Sequence, residues 1–287
     1  MLYAYRKLNL SFINKIPLKT FIKKVKIRPL MISSIIILFL TFHRCTEVLI
    51  DNSLEPKAGF CLTFDDDYIE DWYSINDMLL LNNVKATFFV SEIYNLSTDQ
   101  IELLTELKTS GHEIGSHGWN HTNAVEYLNN HTLEEYYRYE IQPAIEYMEG
   151  IGLKPESFAY PFGRSSDSLD KFLFQYFNIL RHVTVEQLQL SSKEVDEIDE
   201  IYYKFNGTRY ATGLGIDVNY KISQEMLKKV LIRAKTNDEV VVLFSHRPVD
   251  SSPQQYETNK TYLDSLLKLA NELNLKSYRF SELLDYK

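Results

Sequence analysis

The sequence predicts an α/β fold, in which a mostly parallel sheet carries helices on its outside and is either open or closed as a barrel. The first observation is that strand-like and helix-like segments alternate along the chain from residue 59 to residue 278. The second is that 45% of the 287 residues are hydrophobic and 13% are aromatic, which is enough for a sizeable core. Because catalytic groups gather at the carboxyl ends of parallel strands, the polar residues that follow each strand are of most interest.

Each element has its own signal. Runs rich in β-branched and aromatic residues, such as VKATFFV, predict strands, and apolar residues at helical spacing predict helices. Thr132 and Glu135 have the spacing of a capping box at the start of a long helix. The predicted strands are Gly59–Phe64, Val84–Val90, Glu113–Ser116, Ser157–Tyr160, Ile179–Val185, Glu239–Phe244 and Lys276–Tyr278. The predicted helices are Ile69–Leu81, Thr98–Lys108, Thr132–Glu149, Ser166–Phe177, Ser223–Ala234 and Tyr256–Leu273.

Charge is distributed unevenly along the chain. Residues 1–46 contain no Asp or Glu but nine Lys and Arg, so the net charge of −8 leaves −17 for residues 47–287. A protein that binds duplex nucleic acid needs a basic surface stripe, and the acidic body offers none. The sequence therefore excludes nucleic acid as an expected partner. The two cysteines, Cys45 and Cys61, form no CxxC pair, which argues against cysteine-ligated zinc.

The N-terminus has the pattern of an export segment. The basic residues 1–29 lead into residues 30–42, an apolar run without charge that is shorter than the ~20 residues a membrane-spanning helix needs. We expect a signal peptide or short anchor, with a buried core helix as the alternative. The positive charges would keep 1–29 in the cytoplasm and export the rest, which is then membrane-anchored, periplasmic or secreted. A linker (43–57) and a globular domain (58–287) follow.

Polar residues at three predicted strand ends could form a metal site. His117 and His121 are four residues apart, which suits two imidazole ligands on one cation, although such pairs are also common on surfaces and in cores. The acidic run Asp65–Asp67 could add a carboxylate and leave one position for water, or it could cap the following helix. His246 follows the run VVVLF and is either a buried structural histidine or a group that titrates near neutral pH at the same rim.

Together these stretches resemble the polysaccharide deacetylases of the NodB-homology type, carbohydrate esterase family 4. The matching stretches, in order and spacing, are LTFDDD (62–67), VKATFFV (84–90), GHEIGSHGWNH (111–121), AYPFG (159–163) and VVLFSH (241–246). The resemblance covers roughly residues 58–280. It implies a distorted (β/α) barrel with fewer than eight strands, one divalent metal that we expect to be Zn²⁺, and an N-acetylated polysaccharide as substrate. Residues 58–287 then form the catalytic domain.

The resemblance also implies roles for individual residues. The residues at matching positions are Asp65 as general base, His246 as general acid, Asp66, His117 and His121 as metal ligands, and Tyr160 and Phe162 on the sugar groove. The backbone N–H of Phe162 would help to hold the oxyanion. We expect Tyr160, Phe162 and Trp119 to stack on sugar rings, because an aromatic face covers the C–H side of a pyranose.

The chain departs from the family pattern at three places. Asp67 stands where the family's first motif usually ends in Gly, and Ala159 stands where an Arg usually orients the base. Arg164 or Arg209 could replace that Arg. The family's Asp-Trp motif, which orients the acid, is not evident. Asp217 is the candidate for orienting His246, and its alternative reading is an acid that caps a loop.

The expected function is metal-dependent hydrolysis that removes N-acetyl groups from an extracytoplasmic polysaccharide of the GlcNAc type. One alternative is an O-acetyl esterase on the same fold, since the reaction differs only in the leaving atom. The other is a glycan-binding protein without turnover, which Ala159 and the missing Asp-Trp motif favour. The set of candidate base, acid and metal ligands opposes the second alternative, because binding alone requires neither a base nor an acid.

Overall fold

The computed structural model describes residues 57–184, 194–251 and 253–286. The strands are β1 Gly59–Asp66, β2 Ala86–Val90, β3 Glu113–Ser116, β4 Ser157–Ala159, β5 Ile179–Val183, β6 Tyr202–Tyr203, β7 Tyr210–Gly215, β8 Val240–Ser245, β9 Arg247–Val249, β10 Glu257–Asn259 and β11 Lys276–Tyr278. The helices are α1 Ile69–Tyr73, α2 Asn76–Leu81, α3 Thr98–Thr109, α4 Ala124–Tyr127, α5 Leu133–Tyr136, α6 Gln142–Gly150, α7 Asp167–Leu173, α8 Gln224–Asn237 and α9 Lys260–Glu272.

The predicted N-terminal segments lie almost entirely outside the described residues. The basic segment 1–29, the apolar run 30–42 and all of the linker 43–57 except its last residue are among them. The limits of these segments therefore stay predictions. Within the described ranges, no helix combines the length and apolar character that crossing a membrane requires.

Seven parallel strands close into a barrel. The order runs from β1 through β2, β3, β4, β5 and β7 to β8, and β8 pairs again with β1 in parallel. Strand β11 extends the sheet beside the start of β1, and β6 adds an antiparallel partner to β8. The predicted barrel with a mostly parallel sheet is confirmed, and the open-sheet alternative is wrong. All seven carboxyl ends consequently face one rim, where the candidate site residues lie.

Alternate residues of each barrel strand face different layers. On β8, Val241 and Leu243 pack with the helix-facing core, whereas Val240 and Val242 pack in a second cluster with Cys61 and Phe89. Because both faces of these barrel strands are buried, their sequences are continuous apolar runs and do not alternate between apolar and polar residues. Cys61 is buried and free, as expected for a small core residue. This alternation also decides which polar residues face the barrel interior.

Several predicted elements differ from the structure. The helix predicted over 69–81 is interrupted between α1 and α2, and the one predicted over 132–149 contains a π-helical segment, Tyr137–Ile141. The helix predicted from Tyr256 begins at Lys260, because β10 precedes it and the Asn259 side chain caps it. Strand β7 was not predicted. Its Gly213 and Gly215 are poor strand formers, but a Cβ at either position would lie within 3 Å of a neighbouring aromatic ring.

Candidate active site

Three side chains from the ends of β1 and β3 converge at the rim. The Oδ1 atom of Asp66 lies 3.6 Å from Nε2 of His117 and 3.3 Å from Nε2 of His121. One ligand atom from each residue lies within 4.8 Å of the other two. Asp66 Oδ1 is buried and no described group gives it a hydrogen bond of good geometry. A buried carboxylate oxygen facing two imidazole nitrogens fits a divalent cation with bonds of about 2.0–2.2 Å.

The protonation of Asp66 and His117 also suits a cation. Burial lowers the pKa of His117 to about 4, so its imidazole is neutral at pH 7. His117 Nδ1 lies 2.8 Å from the Ala159 carbonyl oxygen and donates to it, which leaves the Nε2 lone pair directed at the site. Burial acts to raise the pKa of Asp66, but His121 and His117 outweigh it and hold that pKa at about 2. Asp66 is therefore ionised and His117 is neutral, as metal ligands must be.

A buried glutamate supports the loop that carries the two histidines. Both carboxylate oxygens of Glu140 accept hydrogen bonds, at 3.0 Å from the Asn120 N–H and at 2.8 Å from the Thr122 N–H. The Thr122 hydroxyl donates a third bond of 3.0 Å. A Cβ on Gly118 would lie 2.2 Å from Glu140 Oε1, so this close approach requires glycine. Glu140 therefore fixes the backbone on both sides of His121.

Sequence reasoning missed Glu140, although a signal existed. Glu140 lies four residues from both Tyr136 and Ala144, which are buried, so it occupies the core-facing stripe of the helix. An acid at such a position is expected to have partners. The π-helical segment contains Glu140, and segments of this kind are frequent at functional sites.

Glu140→Gln is expected to weaken Zn²⁺ binding by about tenfold, the lower end of what loss of an outer partner of a metal ligand costs. A glutamine amide offers one acceptor oxygen, so one loop N–H would face an NH₂ group instead. Competition with a chromophoric chelator measures the change. Glu134→Gln, at an exposed position on the same helix, should keep the wild-type affinity. Equal affinities for the two variants would show that Glu140 does not support the metal site.

The candidate base is paired with a buried arginine that was not predicted. Asp65 Oδ2 accepts a hydrogen bond from Nη2 of Arg181 on β5, while Asp65 Oδ1 is buried without a hydrogen-bond partner in the described part of the chain. The Arg181 guanidinium is fully buried and lies 4.8 Å from the ring centroid of Phe244 and 5.5 Å from that of Phe89. One carboxylate oxygen is thus held by a fixed positive charge, and the other is free to take a proton.

Arg181 is the arginine that contacts the candidate base in place of the family Arg that is absent at Ala159. The predictions that Arg164 or Arg209 would do so are wrong. The Arg209 guanidinium donates to the backbone carbonyl oxygens of Asn178, Phe174 and Phe177, and Arg164 is exposed. The sequence held a signal that Arg181 is a buried charge with a partner, but not which residue that partner is. It lies inside a predicted strand, two residues from Ile179 and hence on the same face, and a charge at a buried strand position needs a partner.

The candidate acid is oriented by Asp217. Asp217 is fully buried, and its Oδ2 lies 2.6 Å from His246 Nδ1, which donates to it. Asp217 Oδ1 accepts from the Ser245 hydroxyl at 2.6 Å, the Thr258 hydroxyl at 2.8 Å and the His246 N–H at 3.1 Å. The Asp217 side chain makes no capping bond to the 3-10 turn that follows it, so its contacts favour orientation of His246 over capping of that loop. With Nδ1 occupied, Nε2 is the His246 atom that can donate a proton to a substrate.

Asp217→Asn is expected to shift the basic limb of the kcat profile by at least about one pH unit toward lower pH. Burial lowers the pKa of His246, but the Asp217 hydrogen bond and charge, with Asp65 and Asp66, outweigh it and raise that pKa to about 9. A general acid works only below its pKa, and without Asp217 the pKa falls toward the ordinary value of about 6.5. Steady-state rates from pH 6 to 10 measure the limb. An unchanged limb would contradict the assignment of His246 as acid.

Comparisons with known proteins find one family and several solved structures that this chain resembles. The family model described as polysaccharide deacetylase matches residues 54–176. Over these residues the chain is similar to the polysaccharide deacetylases. A chitin deacetylase from Pestalotiopsis sp is 40% identical over 63 residues, which span 22% of this chain and 21% of that relative. The match thus covers about a fifth of the relative's length.

Solved structures share the fold of this chain. The chitin deacetylase of the fungal pathogen Colletotrichum lindemuthianum has a TM-score of 0.54 at 17% identity, over 82% of this chain and 90% of that one. A pseudoenzyme of the CE4 family from Bacillus anthracis has a TM-score of 0.51 at 17% identity, over 79% of this chain and 66% of that one. At these identities the likeness concerns the fold alone.

The aromatic residues predicted to line a sugar groove are not all exposed. Tyr160 is fully buried and its hydroxyl donates to Asp170 Oδ1 at 2.7 Å, so its predicted stacking on sugar is wrong. Phe162 is 62% exposed, and its ring centroid lies 4.9 Å from that of His121. Trp119 is half-buried, and its ring lies 4.5 Å from the ring of Tyr94. Phe162 and Trp119 remain candidates for sugar contacts.

The substitution of Asp67 for the family glycine has a simple structural account. The left-handed backbone conformation at this turn falls on Asp66, with φ of 85°, and not on Asp67. Asp67 is exposed, so its side chain is accommodated without strain. Asp67 is consequently not required for the arrangement of Asp65 and Asp66.

Proposed function

We propose that this chain is a metal-dependent hydrolase that removes N-acetyl groups from a polysaccharide of the GlcNAc type. The observation that carries the proposal is the pairing of Asp65 with Arg181 and of His246 with Asp217 at the rim that holds the candidate metal ligands. A protein that only binds glycans needs neither a fixed base nor a protonated acid. The pairing therefore favours turnover over binding alone.

The donor set of Asp66, His117 and His121 fits Zn²⁺, which would act as a Lewis acid and lower the pKa of water at the site. Asp65 takes the proton of the attacking water on its free Oδ1, while Arg181 keeps Oδ2 in place. Water oxygen bonds to the acetyl carbon, and the Phe162 backbone N–H helps to hold the negative oxygen. His246 donates from Nε2 to the departing sugar nitrogen. The C–N bond breaks, giving acetate and a free amine.

We propose further that the protein works outside the cytoplasm. The support is the charge distribution in the sequence, with a basic segment before the apolar run at 30–42. In this arrangement the N-terminal segment contacts the membrane, as a cleaved signal or as an anchor. Fractionation of expressing cells tests it: full-length protein recovered only in the cytoplasm would contradict export.

The central test is acetate release from chitin oligomers, poly-N-acetylglucosamine, peptidoglycan and acetylxylan. We expect release from an N-acetylated glycan, its loss with a chelator and its return with Zn²⁺. The Asp65→Asn protein serves as the matched inactive control. Release from acetylxylan alone would identify an O-acetyl esterase. Binding without release from any of the four would identify a glycan-binding protein and contradict the proposed hydrolysis.

A further inference from the structure

Two exposed aromatic side chains contact the two sides of the candidate site. Phe162 contacts the metal-ligand candidate His121, as described above. Tyr256, in the loop between β9 and β10, is 45% exposed, and its ring centroid lies 5.2 Å from that of His246. Tyr256 belongs to none of the stretches from which the family resemblance was drawn. Its position beside the proposed acid is a property of this structure.

Both aromatic residues adopt a backbone conformation that bulky residues usually avoid. The φ angle is 59° at Phe162 and 62° at Tyr256, in the left-handed region that favours glycine. Such conformations persist where the surroundings hold them, and they cluster at ligand-binding and active sites. The φ angle therefore marks Tyr256, like Phe162, as a candidate for contact with a ligand.

The backbone around Tyr256 fixes the position of its ring. The Tyr256 N–H donates to Asn219 Oδ1 at 2.8 Å, and its carbonyl oxygen accepts from the Arg247 N–H at 3.3 Å. Arg247 follows His246 directly in the chain. The loop that carries Tyr256 is therefore tied to the strand end that carries the acid, and the ring is presented in a defined place.

The orientation of the ring suits a sugar next to His246. An imidazole donates in its own plane, so a sugar nitrogen that receives the His246 proton lies at the edge of that ring. The Tyr256 ring is inclined by 64° to the imidazole plane. The ring is also 45% exposed, so an aromatic face beside His246 is available to the C–H face of a pyranose.

We propose that Tyr256 is a substrate-binding residue that stacks on the pyranose ring of the departing amine, on the acid side of the site and across from Phe162. This inference rests on the proposed function, because it takes His246 as the donor to that amine. The ligand class is an N-acetylated hexosamine chain. Tyr256 acts on the sugar and not on the acetyl group, so it affects glycans and leaves sugar-free acetyl esters unaffected.

Kinetics on two substrates tests the proposal. Tyr256→Ala should raise KM for the N-acetylglucosamine tetramer that the protein deacetylates about tenfold, whereas Tyr256→Phe should stay within about twofold of wild type. Hydrolysis of 4-nitrophenyl acetate, which has no sugar, should be unchanged in both. Tyr139→Ala, at a similarly exposed tyrosine outside the site, should leave both rates unchanged. Parallel loss of tetramer and ester hydrolysis in Tyr256→Ala would overturn the proposal.

A second variant separates sugar binding from structural support. Tyr256→Gly removes the strained side chain, so its melting temperature should equal or exceed that of wild type while KM for the tetramer rises. A lower melting temperature together with an unchanged KM would identify a structural residue and overturn the proposal.

A binding measurement keeps the proposal testable if the chain proves inactive. Calorimetry with β-1,4- and β-1,6-linked N-acetylglucosamine tetramers should give at least fivefold weaker binding to Asp65→Asn/Tyr256→Ala than to Asp65→Asn. Wild-type acetate release from glycans reports on the proposed function separately. Equal affinities, or no binding of either tetramer by Asp65→Asn, would overturn the role of Tyr256.

Discussion

Asp65→Asn is expected to lower kcat on an N-acetylated glycan by at least about 10³-fold, within the range that loss of a general base produces. The asparagine oxygen can still accept the hydrogen bond of Arg181, so the local geometry is retained. The amide cannot take a proton from water, however. Because Asp66, His117 and His121 are unchanged, the variant should bind Zn²⁺ with wild-type stoichiometry. Acetate release and metal content by atomic absorption measure the two effects.

Asp67→Asn is the matched control, since it removes the neighbouring carboxylate of the same acidic run. Asp67 is exposed and lies at the end away from Arg181, so kcat should stay within about threefold of wild type. If Asp65→Asn retained activity, or if Asp67→Asn lost as much, the assignment of the base would be wrong. Loss of metal from Asp65→Asn would indicate that Asp65 is itself a ligand.

His117→Ala is expected to abolish stoichiometric Zn²⁺ binding and, with it, acetate release. The substitution removes one of three candidate ligands, which should weaken affinity by more than the ~100-fold that loss of an outer partner can cost. The expected observation is less than 0.1 equivalent of Zn²⁺ after dialysis against micromolar metal, an order-of-magnitude figure for this affinity loss. Added Zn²⁺ should raise the melting temperature of wild type but not that of the variant.

His112→Ala provides a control for the loss of a buried imidazole. His112 is buried, its Nδ1 accepts from the Ala86 N–H, and its Nε2 lies 3.0 Å from Asn76 Oδ1, away from the three candidate ligands. This variant should lose thermal stability but keep its metal. If both variants lost metal equally, the effect of His117→Ala would reflect folding and not ligation.

Local pattern and strand topology predicted the core of the site. Strand ends of a parallel sheet share one rim, and this rule predicts that the acidic run Asp65–Asp67, His117 and His246 lie together. These predictions succeeded because each depends on which strand a residue follows, and strand positions can be read from apolar runs.

The partner of Asp65 depended on information of another kind. Arg181 lies 116 residues further along the chain and reaches Asp65 across the barrel interior. That contact requires the closed barrel, and β7 closes it by pairing with both β5 and β8. Strand β7 could not be predicted because its glycines are poor strand formers. The prediction that Tyr160 stacks on sugar was wrong for a related reason. A motif gives the position of a residue in the chain but not the direction in which its side chain points. The π-helical segment around Glu140 has no sequence rule that would locate it.

The order of the strands divides the proposed chemistry between two parts of the chain. The segment that matches the deacetylase family, 54–176, holds the three candidate metal ligands and the base. Three other residues lie beyond that segment. Arg181, which pairs with the base, is on β5, the acid His246 follows β8, and its partner Asp217 follows β7. A relative that diverged only in its later strands could therefore keep the metal ligands but lose the residues that transfer protons. Such a protein would bind a metal ion and a glycan without hydrolysing the glycan. Similarity over residues 54–176 alone therefore does not include the whole set of proposed catalytic residues.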